Sequence, residues 1–383
     1  MKLFYWCPFT SKVASIVAVL NSADALQKHS SNKITSYIIN VFGEWNGYLK
    51  EISEKNIQII SLSKIDLRRF LFCSGYVRSR LSYIFIYFYS ILSLYKTLKK
   101  YEPDYIIVHL ITSLPLTLLS IFNFKTKFIL RISGFPKLNI FRKLLWKLIS
   151  KKIHKITFPS KETYELFRAE KIFDTSKMII IYDPIVSINI INKKKKLLIK
   201  NFLPKDMKYI LSVGRFTKQK NFELLIEGFF HILKDYSYLN LVIIGEGELS
   251  KNYKSLIKKL NLSEKVLLLD YQSNIYQYMN NACCLVSTSL WEDPGFVMIE
   301  AASTNTSLVI SDCSSGPKEF IENNKGGYLF KSNDKNSFIN SLKLFISDNK
   351  KNIFQKKVFA KKKSISFTKF RHYKKFFDIL NGF

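Results

Sequence analysis

"LVSTSLWEDPGFVMIEAA", residues 285–302, is the stretch on which the reading of this chain turns. A short apolar run gives way to a polar loop holding Pro294 and Gly295, and a second apolar run follows. The order is strand, loop, helix. Two acids flank the turn: Glu292 just before it, and Glu300 eight positions later inside the apolar run. A helix cap plus a surface acid is the plain reading. Two acids gripping one ligand at a helix N-terminus is the sharper one.

The same unit recurs on both sides. Downstream lies "SLVISD" (307–312), and upstream lie "YILSVG" (209–214), "LVIIGE" (241–246) and "VLLLD" (266–270), alternating with helical patterns such as the one from about Phe222. The first half repeats the alternation with "KLFYWC" (2–7), "TSYIINV" (35–41), "IQIISL" (57–62), "YIIVHL" (105–110), "KFILRI" (127–132), "KITFPS" (155–160) and "IIIYDP" (179–184), and with helical patterns at 81–99 and 141–150. Apolar runs with little alternation suit strands covered on both faces, as in parallel sheets. The chain therefore reads as α/β, with two doubly wound, Rossmann-like domains facing a cleft. The expected division is 1–187, a solvated linker at 188–206, 207–350, and a basic tail at 351–383 whose helices pack back on the first domain.

A length of 383 residues fits about two domains. Cys7, Cys73, Cys283, Cys284 and Cys313 show no metal-ligand spacing, so neither a zinc site nor a disulfide framework is expected, and a reducing cytosol fits. The start lacks the apolar core of a signal peptide. "LSYIFIYFYSILSLY" (81–95) is too short for a span, and "YIIVHLITSLPLTLLSIFNF" (105–124) reads as a buried strand followed by a buried helix. The net charge is +31, and residues 1–200 hold 33 Lys/Arg against 12 Asp/Glu. From Tyr105 to Lys161 there is no acid. Such a field suits an anionic partner (lipid headgroups, nucleic acid or a phosphorylated substrate), unless it only reflects a Lys/Ile/Asn-rich composition.

Ligands of open α/β sheets bind beyond the C-terminal strand ends, and four such ends carry chemistry here. After "YILSVG", Gly214 permits a tight exit, and Arg215 and Lys220 offer a planar fork and a compact charge for a diphosphate. The plain alternative is two solvated cations. After "LVIIGE", Gly245 and Gly247 form Gly-x-Gly, but Ser250 stands where a dinucleotide fingerprint needs its third glycine, which disfavours a nicotinamide dehydrogenase. At the quoted stretch, Gly295 and the amides of Phe296 and Val297 open a helix toward an anion. Glu292 then sits by neutral hydroxyls, and Glu300 deeper on the helix suits a ribose diol. At the fourth end, Ser314, Ser315 and Gly316 make a polar loop ahead of Glu319, with simple capping as the alternative.

Gly214-Arg215 with Lys220, the Gly245-x-Gly247 turn, Glu292-x7-Glu300 and the Ser-Gly-Pro-x-Glu loop ending at Glu319 together resemble retaining glycosyltransferases of family 4, which have the GT-B fold and include bacterial surface-polysaccharide enzymes. The match covers about residues 209–330. It implies a nucleoside-diphosphate-sugar site in the second domain, with Arg215 and Lys220 on the diphosphate, Glu292 on the donor sugar and Glu300 on the ribose. Gly214, Gly245, Gly247, Gly295, Phe296, Val297, Ser315 and Gly316 complete the donor side. Acceptor binding falls to the first domain. Where many members have Glu-Gly-Phe-Gly, this chain has Glu292-Asp293-Pro294-Gly295. Where a Gly-Gly pair is common, it has Val13, Ala14 and Ser15. Ser133 stands near the place of a frequent sugar-contacting His, and His109 ends the preceding strand as a second acceptor- or sugar-side candidate.

The implied reaction moves a hexose or N-acetylhexosamine from a UDP sugar to a hydroxyl with retention. Arg215, Lys220 and the helix amides stabilise the leaving diphosphate, so neither a metal nor any cofactor beyond the donor is expected. "FRKLLWKLISKKIHK" (141–155) has apolar Phe141, Leu144, Leu145, Leu148 and Ile149 at helical spacing among basic residues, with Trp146 suited to an interface. It reads equally as a helix lying on an anionic membrane and as a core helix with a basic outer face. The first reading gives a membrane-associated, lipid-linked acceptor in O-antigen, lipopolysaccharide or capsule assembly, a cytoplasmic protein held on the inner face of the plasma membrane, and no nucleic acid partner. Three rivals stand beside it. One is a glycoside hydrolase using Glu292 and Glu300. Another is a non-catalytic membrane- or nucleic-acid-binding protein, and the third is a sugar-nucleotide epimerase.

Overall fold

A computed structural model describes residues 1–11, 13–63, 65–68, 76–134, 138–197 and 203–381, without the side chains of 76–81. Cys73, part of the 188–206 stretch, and Phe135–Pro136 after Gly134 lie outside the described residues. The chain divides into two compact units: Met1–Pro184 with Lys369–Phe383, and Ile185–Thr368.

The first unit runs β1 (Lys2–Trp6), α1 (Ala14–His29), β2 (Thr35–Asn40), α2 (Leu49–Glu54), β3 (Gln58–Ser61), α3 (Tyr76–Tyr101), β4 (Tyr105–Val108), α4 (Ser113–Ile121), β5 (Lys127–Arg131), α5 (Ile140–Ile149), β6 (Lys155–Phe158), α6 (Lys161–Ala169) and β7 (Met178–Ile180). All strands are parallel, in the order β3-β2-β1-β4-β5-β6-β7. Both sheet faces are covered. Phe4 and Trp6 join a core with α3, α4, α5 and α6, while Leu3 and Tyr5 join a second core with α1. Side chains alternate between faces along a strand, and both faces are apolar here, so the sequence shows no alternation.

The second unit runs α7 (Ile188–Lys196), β8 (Tyr209–Val213), α8 (Phe222–Ile232), β9 (Asn240–Ile244), α9 (Ser250–Lys259), β10 (Val266–Leu269), α10 (Tyr276–Asn281), β11 (Cys284–Ser287), α11 (Phe296–Ser303), β12 (Ser307–Ser311), α12 (Gly316–Ile321), β13 (Tyr328–Phe330), α13 (Lys335–Ser347) and α14 (Lys350–Ser364). The parallel order β10-β9-β8-β11-β12-β13 reverses between β8 and β11, which places their C-terminal loops side by side. Strand β13 has no counterpart among the strands expected from sequence; three residues are too few for a clear apolar run. The stretch expected to be a solvated linker begins with helix α7, which buries Ile191 and packs against α10.

The tail divides. α14 stays with the second unit, and α15 (Lys369–Leu380) packs on α1 in the first. α15 sinks Phe376, Ile379 and Leu380 into the core, and Lys369 pairs with buried Asp24 at 2.5 Å. His372 is also buried. Its Nδ1 lies 2.8 Å from the Tyr182 carbonyl, so Nδ1 carries the proton, and Nε2 accepts from Ser22 Oγ at 2.8 Å. Tyr5 closes the chain with its hydroxyl 3.0 Å from Ser22. Burial holds the His372 pKa down at about 3. Nearby, Arg131 on β5 donates to Asp183 at 2.7 Å and to the Ile181 carbonyl at 2.6 Å.

Candidate active site

Beyond β8 and β11, two loops are stitched together. The Leu290 amide donates to the Gln219 carbonyl at 2.8 Å, and Gln219 Nε2 donates to the Trp291 carbonyl at 2.8 Å. Thr288 Oγ1 donates to the carbonyls of Lys220 (2.9 Å) and Asn221 (3.0 Å). This stitching brings Lys220 against Glu292, 72 residues away in sequence, where Lys220 Nζ donates to Glu292 Oε1. Both side chains are largely shielded from solvent. Ser289 donates to the same Oε1 at 2.7 Å. Gly214 has a direct part in this: a Cβ there would stand 2.9 Å from Lys220 Cε, so glycine leaves room for the lysine stem to lie across the strand exit.

A third loop, after β12, closes the other side. The Glu292 amide donates to the Ser314 carbonyl at 2.8 Å, and the Ser315 amide returns the bond to the Glu292 carbonyl at 2.7 Å. Ser311 Oγ donates to the Ser289 carbonyl at 2.8 Å. Gly316 packs so closely that a Cβ would fall 2.1 Å from the Pro294 carbonyl. Glu292 therefore has its backbone fixed by one loop and its carboxylate by another. Burial, with the Glu292 charge beside it, pushes the Cys313 thiol up to about 12, so it stays a neutral wall group.

Helix α11 starts at Gly295, whose φ of +92° is in the left-handed region that favours glycine. Its N-cap is a glycine and contributes no side chain, and the helix dipole favours an anion at this end. Lys220, Ser287, Glu292, Gly295, Val297 and Met298 line one small pocket at this end. Further along α11, Glu300 accepts from the Tyr276 hydroxyl of α10 at 3.0 Å through Oε1. Burial raises the Glu300 carboxyl to about 7, against the lowering effects of the Tyr276 bond and of Lys194. Lys194 belongs to α7; its Nζ donates to the Ser273 carbonyl at 3.3 Å and lies 5.8 Å from the Tyr276 ring.

Residues 193–359, which include all of this geometry, match the family described as Glycosyl transferases group 1. The chain has the GT-B fold, and its second unit resembles that family over the matched residues. A Campylobacter jejuni protein, N-acetylgalactosamine-N,N'-diacetylbacillosaminyl-diphospho-undecaprenol 4-alpha-N-acetylgalactosaminyltransferase, is 39% identical over 143 residues, which is 37% of this chain and 38% of that protein. The match thus spans well under half of that relative. Over the full length, a glycosyltransferase from Rickettsia africae superposes with a TM-score of 0.78 at 16% identity, covering 100% of this chain and 98% of the other. Anabaena HepE in complex with UDP and glucose superposes at 0.74 with 14% identity, covering 100% of both chains.

The second unit does not gather every expected residue around the pocket. Arg215 is exposed on the β8–α8 loop and is not part of the pocket lining. Gly245 and Gly247 pack backbone on backbone: Cβ atoms there would fall 1.9 Å from the Gly214 carbonyl oxygen and 2.6 Å from that of Phe216. Their spacing lets the β9 turn sit against the loop that carries Lys220. Glu319 lies on α12. In the first unit His109 is buried, with Nδ1 3.5 Å from Ser133 Oγ, and burial, with Arg131 and His372 adding, lowers its pKa well below the usual histidine range. Helix α5 follows neither expectation in full. It buries Trp146 and Ile149 but exposes Phe141, Leu144 and Leu148.

Sequence reasoning missed Ser289, Tyr276 and Gln219. Ser289 stood three residues before Glu292 in a polar strand exit, a signal that was there to be used. Tyr276 carried none, because its role depends on α10 lying beside α11.

Proposed function

We propose that the protein is a retaining, metal-independent family 4 glycosyltransferase. It would move a hexose or N-acetylhexosamine from a UDP sugar to a lipid-linked saccharide in O-antigen, lipopolysaccharide or capsule assembly. The observation that carries this reading is the Lys220–Glu292 pair lining a pocket at the N-terminus of α11. A lysine ammonium has three donors, so Lys220 can hold Glu292 and a phosphate oxygen together. Glu292 then meets the hydroxyls of the donor sugar. Glu300 has one oxygen on Tyr276 and offers the other to a ribose diol.

In the reaction the bond from the anomeric carbon to the β-phosphate oxygen breaks, and the acceptor oxygen bonds to that carbon from the same face. The acceptor proton goes to the departing phosphate. Negative charge grows on the diphosphate, where Lys220 and the α11 amides stabilise it, with Arg215 reaching in from the solvent side of the same loop as Lys220; a donor fixed in advance at such a position is worth about 3–4 kcal/mol. These cations and dipoles do what a metal would do. The UDP and glucose named with the Anabaena structure support the donor class, and the diphospho-undecaprenol in the name of the Campylobacter relative supports a lipid-linked acceptor. An acceptor of that kind, with the basic, apolar surface of α5, favours work at the inner face of the plasma membrane, with the protein bound to an anionic surface. His109 and Ser133 belong to the acceptor side. The hydrolase reading gives Lys220 no role.

The test is a panel of nucleotide sugars scored by thermal stabilisation, followed by turnover with a polyprenyl-diphosphate-linked saccharide. A UDP sugar should raise the melting temperature, and Lys220→Ala should remove the shift. No stabilisation by any donor, or cleavage of a neutral glycoside with no nucleotide present, defeats the reading.

A further inference from the structure

Helices α3, α4 and α5 lie side by side on one face of the first unit's sheet and share one core. α3 buries Ile86, Leu94 and Leu98 and turns Ile84, Phe88 and Leu92 outward at a spacing of four. Phe88 is 72% exposed and Leu92 67%. On α5, Phe141 and Leu148 are 80% and 71% exposed. Ile121, at the end of α4 between them, is 64% exposed. A surface helix ordinarily carries polar residues on its outer stripe. Here neighbouring helices are apolar on both faces, and a row of that kind marks a surface that something covers.

Charge identifies the cover. Residues 67–161 hold 18 Lys/Arg against two Asp/Glu. Those two are engaged, Glu102 with Lys125 and Asp104 with the Lys2 amide. A second copy of the chain would bring two such fields together, and a nucleic acid has no use for a row of Phe and Leu. An anionic bilayer suits both features, with headgroups for the lysines and the acyl boundary for the rings and aliphatic chains. Among the described residues no helix is long and apolar enough to cross a membrane, so the mode is lying on the surface.

We infer that the outer face of α3–α5 inserts into the headgroup–acyl boundary of an anionic bilayer, α3 supplying the apolar depth and Lys147, Lys151 and Lys152 the electrostatic hold. The inference takes its choice of partner in part from the proposed lipid-linked acceptor. It adds α3, which the sequence reading left as an ordinary helix between strands.

The experiment uses the full chain with no nucleotide or acceptor and measures co-sedimentation with vesicles. One set is phosphatidylcholine alone, and the other is equal parts phosphatidylcholine and phosphatidylglycerol. The protein should bind the anionic set at least about tenfold better, as juxtamembrane cations require. Phe88→Glu with Leu92→Glu should lower that binding at least about tenfold, since the apolar face supplies part of the hold. Phe88→Trp keeps the surface apolar and should show fluorescence quenching by brominated lipid beyond that of the wild type, so a folding defect in the Glu variant would not leave the question open. The inference is overturned by undiminished binding of a folded Glu variant, by absent quenching, by equal binding to both vesicle sets, or by a dimer that needs Phe88 without vesicle binding. Stabilisation by UDP sugars without vesicles is scored separately. Binding through Phe88 with no donor shift removes the transfer reading and keeps this one, and the reverse result removes this one alone.

Discussion

Two shielded ion pairs sit at strand ends of the two units, and they differ in what they border. Arg131–Asp183 is buried in the first unit, and the guanidinium also holds the Ile181 carbonyl. The neighbouring chain from Tyr5 through Ser22 and His372 to Tyr182 is closed in the same way. Lys220–Glu292 in the second unit borders a pocket at the start of helix α11. Lys220 keeps donors to spare, and Glu292 has a second carboxylate oxygen beyond the one held by Lys220 and Ser289. The pair with no pocket beside it among the described residues fixes a fold. A pair of similar burial that lines a pocket is poised for a ligand. Burial alone does not separate structural from functional charges; access to a pocket does.

Substitution should separate the two pairs most widely. Lys220→Ala should lower donor-dependent turnover by about a thousandfold, the upper range for one preorganised donor, while the melting temperature moves little. Arg131→Met leaves Asp183 buried and unpaired and should cost about 3–5 kcal/mol in denaturant unfolding. If Lys220→Ala unfolds the protein and Arg131→Met is neutral, the comparison is wrong.

A pH series sharpens the closed side. The pKa of His372 is held at about 3, below its ordinary 6.5. The unfolded chain therefore binds the extra proton between those values. The stability due to a neutral His372 is complete above about pH 6.5 and is lost as pH falls toward 3, at up to about 1.4 kcal/mol per pH unit. His372→Gln should flatten that part of the acid limb relative to wild type in urea melts at successive pH values.

The smallest effect belongs to Tyr276. Ionised Glu300 is the form that accepts two ribose hydroxyls, so donor KM should fall as pH rises through about 7. Glu300→Gln should abolish the inflection. Tyr276→Phe removes a bond that lowers the Glu300 pKa, so the inflection should move upward while KM rises by a few-fold, the scale of one hydrogen bond. An unmoved inflection would show that Tyr276 only packs.

Much of this was legible in the chain itself. The apolar runs without alternation dictated parallel strands, because strands covered on both faces need apolar residues at every position. Pro294–Gly295 between strand and helix marked the turn that opens α11, since a left-handed residue there favours glycine. Local rules reach that far because period, turn chemistry and helix starts depend on neighbours in sequence. The meeting of Lys220 with Glu292, the reason for Gly214, and the bond from Tyr276 to Glu300 were decided by the tertiary structure alone. Each depends on which strand lies beside which, and β8 pairs with β11 across two intervening strands. The same limit applied at the surface. The sequence put apolar residues on more than one face of α3 and α5, but only packing against the sheet decided which of them, Phe88 and Leu148 included, were left facing out.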